Sequence, residues 1–372
     1  MIMNDRVENW KKNSKPEAGE KTLFGEDAIF RRGLYEIGPG IHAWMQPNGS
    51  TSESNCGVIT SNGETLIFDT AFDLRLTRHI IKAIEPITSK APVTQVINSH
   101  ANGDHTYGNQ LFPGAEIIAT HACKEEFKHE DPRLPRAVPI ISKTISCCGL
   151  GGLPLWPYRK LDKMGKYLGN LMKPFDLTGV VLTPPTKTFT GEYKGYIGNI
   201  EYRIIEVGPA HTCGDAMLYF PESKVLFAGD VLFIEGTPAA WANIDGWISA
   251  IEVIESMDVE VIVPGHGPII DKSGLDDLKS YFKLIQNKVP EMHLNGMDPV
   301  AISRHLLLKD PDFKAFQLWD SPERIVLNVS TVCKTVNNKS PDFNTFQKLN
   351  VIYHMADLAY DLPDAAPSIM RS

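Results

Sequence analysis

The sequence predicts a layered α/β domain with a helical insertion and a C-terminal helical extension. Three observations predict it. Short apolar runs separated by Gly, Pro, Asn and Ser follow Gly33; a strand–helix–strand rhythm runs from Asp69 to Ala119; and beyond Asp298 nearly every segment is compatible with helix. Leu34–Ile37, Ile41–Met45, Asn55–Thr60 and Thr65–Asp69 read as strands, and Ser61-Asn62-Gly63-Glu64 is a hairpin signal. Over Asp73–Ile84 the period changes, so that Leu74, Ile80, Ile81 and Ile84 share one helical face, with Pro86 just past the expected end. Val93–Asn98 and Glu116–Ala119 return to strand. Between His121 and Gly191 the pattern breaks down under Pro132, Pro135, Pro139, Gly149, Gly151 and Pro174, as expected of a lid, a binding loop or an oligomer contact. Strands resume at Tyr202–Val207, Ala216–Phe220, Val225–Ala228 and Val259–Val263, with helical patterning after Asp245 and Gly274. The expected organisation is an N-terminal extension over 1–32, a catalytic domain over 33–290 with an insertion at about 122–190, and a helical region over 291–372.

Composition narrows the function. The 372 residues are 42% hydrophobic and 22% charged, enough for a sizeable core. A net charge of −8 and the lack of basic clusters argue against nucleic acid as the partner. No run of about 20 apolar residues offers a membrane span, and the polar opening Met1–Lys21 lacks the apolar core of a secretory signal. The expectation is a cytoplasmic protein acting on a small molecule, without nucleic acid or membrane, with a homodimer as one use of the helical extension. Six cysteines without a Cys-x-x-Cys pair read as reduced packing thiols, Cys213 included.

The chemistry concentrates in Val96-Ile97-Asn98-Ser99-His100-Ala101-Asn102-Gly103-Asp104-His105. A strand delivers two imidazoles, an amide and a carboxylate into one loop, and small Ala101 and Gly103 let it fold tightly. Neutral nitrogen mixed with charged oxygen suits zinc, iron or manganese rather than calcium. The plainer alternative is a polar turn with Asp104 as a helix cap. Three further candidates, His211, Asp230 and His266, each stand just past a strand beside Gly or Pro, where functional loops gather in layered α/β proteins.

In this order the motifs resemble those of the metallo-β-lactamase superfamily: Phe68-Asp69-Thr70, then His100-x-Asn102-x-Asp104-His105, Ala210-His211-Thr212-x-Gly214-Asp215, Phe227-Ala228-Gly229-Asp230 and Pro264-Gly265-His266-Gly267. The resemblance implies an αβ/βα four-layer sandwich with one or two metal ions, zinc foremost, with iron or manganese as alternatives. It places His100, Asn102 and His211 in a first pocket and Asp104, His105 and His266 in a second, with Asp230 between. Asn102 departs from the family's usual His, and an amide oxygen is a weaker, neutral ligand. The implied reaction is hydrolysis of a small-molecule ester, lactone or related acyl bond by a metal-bound hydroxide. Asp104 orients the nucleophile, and Asn102 ligates weakly, hydrogen-bonds substrate or bound water, or marks a first site that holds no metal. Asp69 and Asp215 are expected to orient the imidazoles, and Trp156, Tyr158 and Trp241 to wall the substrate. The alternatives are a single-iron oxidoreductase of the persulfide-dioxygenase type and a non-catalytic binding protein that keeps the fold.

Overall fold

The computed structural model describes residues 5–47, 53–148, 156–339 and 343–362. A polar helix α1 (Asp5–Asn13) anchors itself through buried Val7 and Trp10. Strands β1 (Gly33–Gly38), β2 (Ile41–Met45), β3 (Cys56–Ser61) and β4 (Glu64–Phe68) form an antiparallel meander. Asn62 and Gly63, at φ 49° and 83°, close the β3–β4 hairpin in the left-handed region that an Asn-Gly turn uses. After helix α2 (Leu74–Thr88), strands β5 (Val93–Ile97), β6 (Glu116–Thr120) and β7 (Lys187–Phe189) extend the sheet in parallel. The second sheet takes β8 (Glu192–Ile197), β9 (Ile200–Glu206), β10 (Ala216–Phe220), β11 (Val225–Phe233) and β12 (Val261–His266), in the order β12-β11-β10-β9-β8.

Neighbouring residues on single strands feed opposite layers, the period-2 pleat at work. Ile59, Phe68, Ile97 and Ile118 face the second sheet's Ile204, Leu218, Phe227 and Val263. Their neighbours Val58, Ile67, Val96 and Ile117 pack instead beneath Leu76, Ile80 and Ile84 of α2. Beyond the second sheet, Met217, Leu226 and Ile262 pack with residues of helices introduced below, Trp247, Ile251, Phe282 and Ile285 among them. Helix, sheet, sheet and helix follow one another, which is the four-layer αβ/βα sandwich expected from the sequence. Strand β11, covered on both faces and buried throughout, reads as a nearly continuous apolar run.

The remaining helices are α3 (Gly103–Thr106), α4 (His121–Glu126), α5 (Arg133–Cys148), α6 (Trp156–Met172), α7 (Ile244–Ser256), α8 (Leu275–Leu294), α9 (Pro299–Lys309), α10 (Ile325–Val336) and α11 (Thr345–Ala359). Among the described residues, the insertion contains the helix pair α5 and α6. Pro135 falls in the first turn of α5, where no intrahelical partner for an N–H is needed, and Pro139 is carried inside the helix. Helix α2 likewise runs through Pro86 to Thr88. Helix α6 packs on α5 and on α11, so the insertion and the C-terminal region meet. Among the described residues, no helix is long and apolar enough to cross a membrane.

Candidate metal centre

The site forms where strand ends of both sheets come together. Chain leaving β5 is pinned by paired amides: Asn98 Nδ2 donates to Asn109 Oδ1 at 3.2 Å and Asn109 Nδ2 to Asn98 Oδ1 at 2.8 Å. One-turn α3 then starts after Asn102, which makes no capping bond; its side chain turns into the site. Asp104 is thus not the helix cap. From the second sheet, Asp230 follows Gly229, whose φ is 53° and where a Cβ would lie 2.6 Å from Ser99 Cβ. A Cβ on Gly265 would stand 2.1 Å from Asp230 Oδ1, so only glycine lets β12 bring His266 this close.

Hydrogen bonds fix how each ring faces. Asp69, buried at φ 59°, accepts from Ser99 N at 2.8 Å and from Ser99 Oγ at 2.7 Å. It also accepts from His105 Nδ1 at 2.9 Å. With its one proton given to Asp69, the Ser99 hydroxyl accepts from His100 Nδ1 at 2.9 Å. Ala239 O accepts from His211 Nδ1 at 2.8 Å. In their neutral forms all three imidazoles therefore point a bare Nε2 lone pair inward. Asn102 Oδ1 meets two of them, 3.1 Å from His100 Nε2 and 2.8 Å from His211 Nε2. The Asn102 side chain also hydrogen-bonds the Glu130 carboxyl, which engages the amide nitrogen and leaves the oxygen facing the rings.

Carboxylates complete the cluster. His105 Nε2 lies 3.0 Å from Asp230 Oδ1, yet both atoms are buried without a hydrogen-bond partner among the described residues. His266 Nε2 is 3.4 Å from both Asp104 Oδ2 and Asp230 Oδ1. Asp230 Oδ2 stands 3.5 Å from His211 Nε2 and 3.8 Å from His100 Nε2. Two groupings have ligand atoms within 4.8 Å of one another: His100, His105 and Asp230, and Asp104, His105 and His266. Burial lowers the His100 and His211 imidazoles, keeping them neutral. For His266 burial is outweighed by Asp230 and Asp104, which push it up to about 9. Ring nitrogens and carboxylate oxygens converge on one point, and the carboxylates hold positive charge there by raising His105 as well as His266. That is the electrostatic signature of a cation site, and the residues present fit a metal.

The two second-rank carboxylates behave differently. Asp69 holds two rings, one directly and one through Ser99. Asp215 grips the turn that carries His211 rather than any ring, accepting from Thr212 N at 2.8 Å, Thr212 Oγ1 at 2.7 Å and Ala210 N at 3.2 Å. A cavity of about 240 Å³ opens over the cluster, and Trp241 lines it. The side chains of Trp156 and Tyr158 lie outside the described residues. The described part of the wall also includes Leu168 and Leu171 of α6 and Leu327, Ile352 and Met355 of α10 and α11. Trp247 is fully buried behind the site, its ring 5.5 Å from His211 and its Nε1 donating to Val231 O. Cys213 is exposed rather than packed. Sequence reasoning missed Ser99, Glu130 and Arg324, which also lines the cavity. Ser99 stood beside His100 and was open to inference; the other two carry no local signal.

Comparison with known proteins agrees with this geometry. The chain is 34% identical over 147 residues to Beta-lactamase-like protein 2 homolog of Caenorhabditis elegans, covering 37% of this chain and 47% of that protein. It is 32% identical over 205 residues to 2,4-dinitroanisole O-demethylase subunit alpha of Nocardioides sp. (strain JS1661), covering 53% of this chain and 48% of the relative. The chain thus spans about half the length of each of these relatives. Its fold is shared with the stereoselective inverting sec-alkylsulfatase Pisa1 from Pseudomonas sp., at TM-score 0.60 and 15% identity over 82% of this chain and 50% of that one. The model of the Metallo-beta-lactamase superfamily matches residues 50–266, a span that takes in every histidine and carboxylate of the cluster. With its strand-end cluster on a four-layer sandwich, the chain belongs to the metallo-beta-lactamase superfamily.

Proposed function

We propose that the protein is a metal-dependent hydrolase that cleaves an ester, lactone or related bond of a small molecule. The observation that carries this reading is the convergence of three inward Nε2 lone pairs, the Asn102 carbonyl and two carboxylates beneath a cavity of about 240 Å³. His100, Asn102 and His211 would hold one ion and Asp104, His105 and His266 a second, with Asp230 shared; zinc, iron and manganese all suit the donors. When bound, such an ion supplies Lewis acidity and a water acidified from pKa 15.7 to about 7.

The chain's own residues do the rest. Asp69 and Ser99 keep His105 and His100 in one tautomer. Asp104, at 16% side-chain exposure against 4% for Asp230, is the more exposed of the two carboxylates that line the cavity and orients water there. Apolar side chains of α6 and α11 exclude bulk solvent, which strengthens every charge interaction inside. The related O-demethylase subunit widens the candidate bonds to the C–O bond of an aryl methyl ether. The test is a panel of carboxylic esters, lactones, sulfate esters and aryl methyl ethers, assayed with metal-loaded protein. Turnover that disappears in Asp104→Ala, with metal content and circular dichroism recorded alongside, supports the reading. Absence of turnover on every class, with two equivalents of metal bound, refutes it.

A further inference from the structure

The cavity wall carries a charge that the proposed reaction leaves unexplained. Arg324 lines the cavity from the C-terminal region, among apolar Leu168, Leu171, Ile352 and Met355. It stands immediately before α10 (Ile325–Val336), at a helix N-terminus where a cation is electrostatically disfavoured. Its place is nevertheless built. Nη1 donates to Thr237 O at 3.0 Å, and the guanidinium lies over the Phe233 ring, 5.8 Å from its centroid. Phe233 in turn stacks on His266 at 4.8 Å and 10°, so the positive charge is held one aromatic ring away from the ligand cluster. Asp320 and Glu323 lie beside it and couple to its charge, although burial pushes both carboxyls up.

We infer that the substrate is an organic anion: an oxyanion group bound by Arg324, carried on an apolar body that lies against α6 and α11. A guanidinium fork matches carboxylate, sulfate and phosphate alike. The C-terminal helices therefore select the substrate rather than only packing. This rests on the hydrolase reading solely in taking the cavity as the substrate's.

The test is binding, measured by calorimetry on the full chain in both metal-free and zinc-loaded form. The probes are hexanoate, hexyl sulfate and hexyl phosphate, each compared with hexanol. At least one oxyanion binds metal-free wild-type protein tenfold or more tightly than hexanol, and the best of the three identifies the head group; the tenfold is of the order of one charge-assisted hydrogen bond. Arg324→Met reduces that preference to within about twofold, and Arg324→Lys leaves part of it. Should Arg324→Met not fold, Ile352→Glu, which adds a like charge to the same wall, lowers oxyanion affinity about tenfold. The metal-free arm separates Arg324 from direct coordination of the anion. Equal binding of anions and hexanol by wild type, or a preference that survives in folded Arg324→Met, overturns the inference. Anion preference without turnover of any ester defeats the hydrolase reading alone.

Discussion

Asp69→Asn isolates what one carboxylate does for the cluster. Asp69 sits at φ 59°, a left-handed conformation that Asn adopts as readily as Asp, so the exchange leaves the backbone unstrained. If the new amide keeps its oxygen on Ser99 N, its nitrogen falls where Ser99 Oγ and His105 Nδ1 now converge, 2.7 and 2.9 Å from Asp69 Oδ2. Two donors then face one another. The relief open to His105 is to surrender its Nδ1 proton and carry it on Nε2, in the middle of the site. Removing such a partner costs about 10- to 100-fold in metal affinity, or about 1.4–2.7 kcal/mol. Folding stability changes less, because burial already pushes the Asp69 carboxyl up and losing its charge offsets part of the lost bonding. The assay is competition for zinc against a chromophoric chelator, with metal counted by mass spectrometry. Asp215→Asn is the control, since Asp215 touches the backbone turn and not a ring. Affinity within a factor of about two of wild type in folded Asp69→Asn would refute the tautomer argument.

Three further outcomes are expected. Asn102→Ala removes the carbonyl that meets His100 and His211 and lowers bound metal from the first pocket, while Asn102→His raises its affinity by about tenfold or more; titration with cobalt(II), followed by its absorption spectrum, reads both. Gly265→Ala forces a Cβ to 2.1 Å from Asp230 Oδ1, costing about 1–3 kcal/mol by denaturant unfolding together with loss of metal; a variant as stable and as metal-rich as wild type contradicts the contact. Glu53 is fully buried, one oxygen lacks a partner among the described residues, and burial pushes the carboxyl up to about 7 against Arg32 at 3.3 Å. Because its pKa is raised on folding, its contribution is complete below about 4.5 and is lost as pH rises through 7, by about 3 kcal/mol in all. Unfolding free energy should fall between pH 5 and 8, and Glu53→Gln should flatten that fall.

Much of this was legible in the residues because the relevant signals were local. Strand alternation in Val58/Ile59 and Ile117/Ile118 and the Asn62-Gly63 turn are properties of neighbours, and the superfamily motifs are compact enough to place the cluster at strand ends. Where the helices of the insertion begin and end was harder to read because Pro132, Pro135 and Pro139 resemble breakers, whereas a helix tolerates proline in its first turn and, with packing from a partner helix, within its length. The cavity wall was out of reach for a different reason. Leu171, Leu327 and Ile352 are ordinary apolar residues on three helices far apart in the chain, and only tertiary packing of α6 on α11 turns them toward one space. Glu130 and Arg324 likewise gain their significance from what they meet, not from what flanks them.

The cluster draws His100, Asn102, Asp104 and His105 from the loop after β5, and His211, Asp230 and His266 from the other sheet. An ion seated there would act as a clasp between the two halves of the sandwich, adding to the apolar contact further in and to hydrogen bonds such as Asn55 Nδ2 to Pro264 O at 3.0 Å. By mass action, free metal at a hundred times its dissociation constant adds about 2.7 kcal/mol to the folded state. Heat resistance of the whole molecule should accordingly follow the metal supply of its surroundings, and a chelator should unfasten the protein as well as silence it.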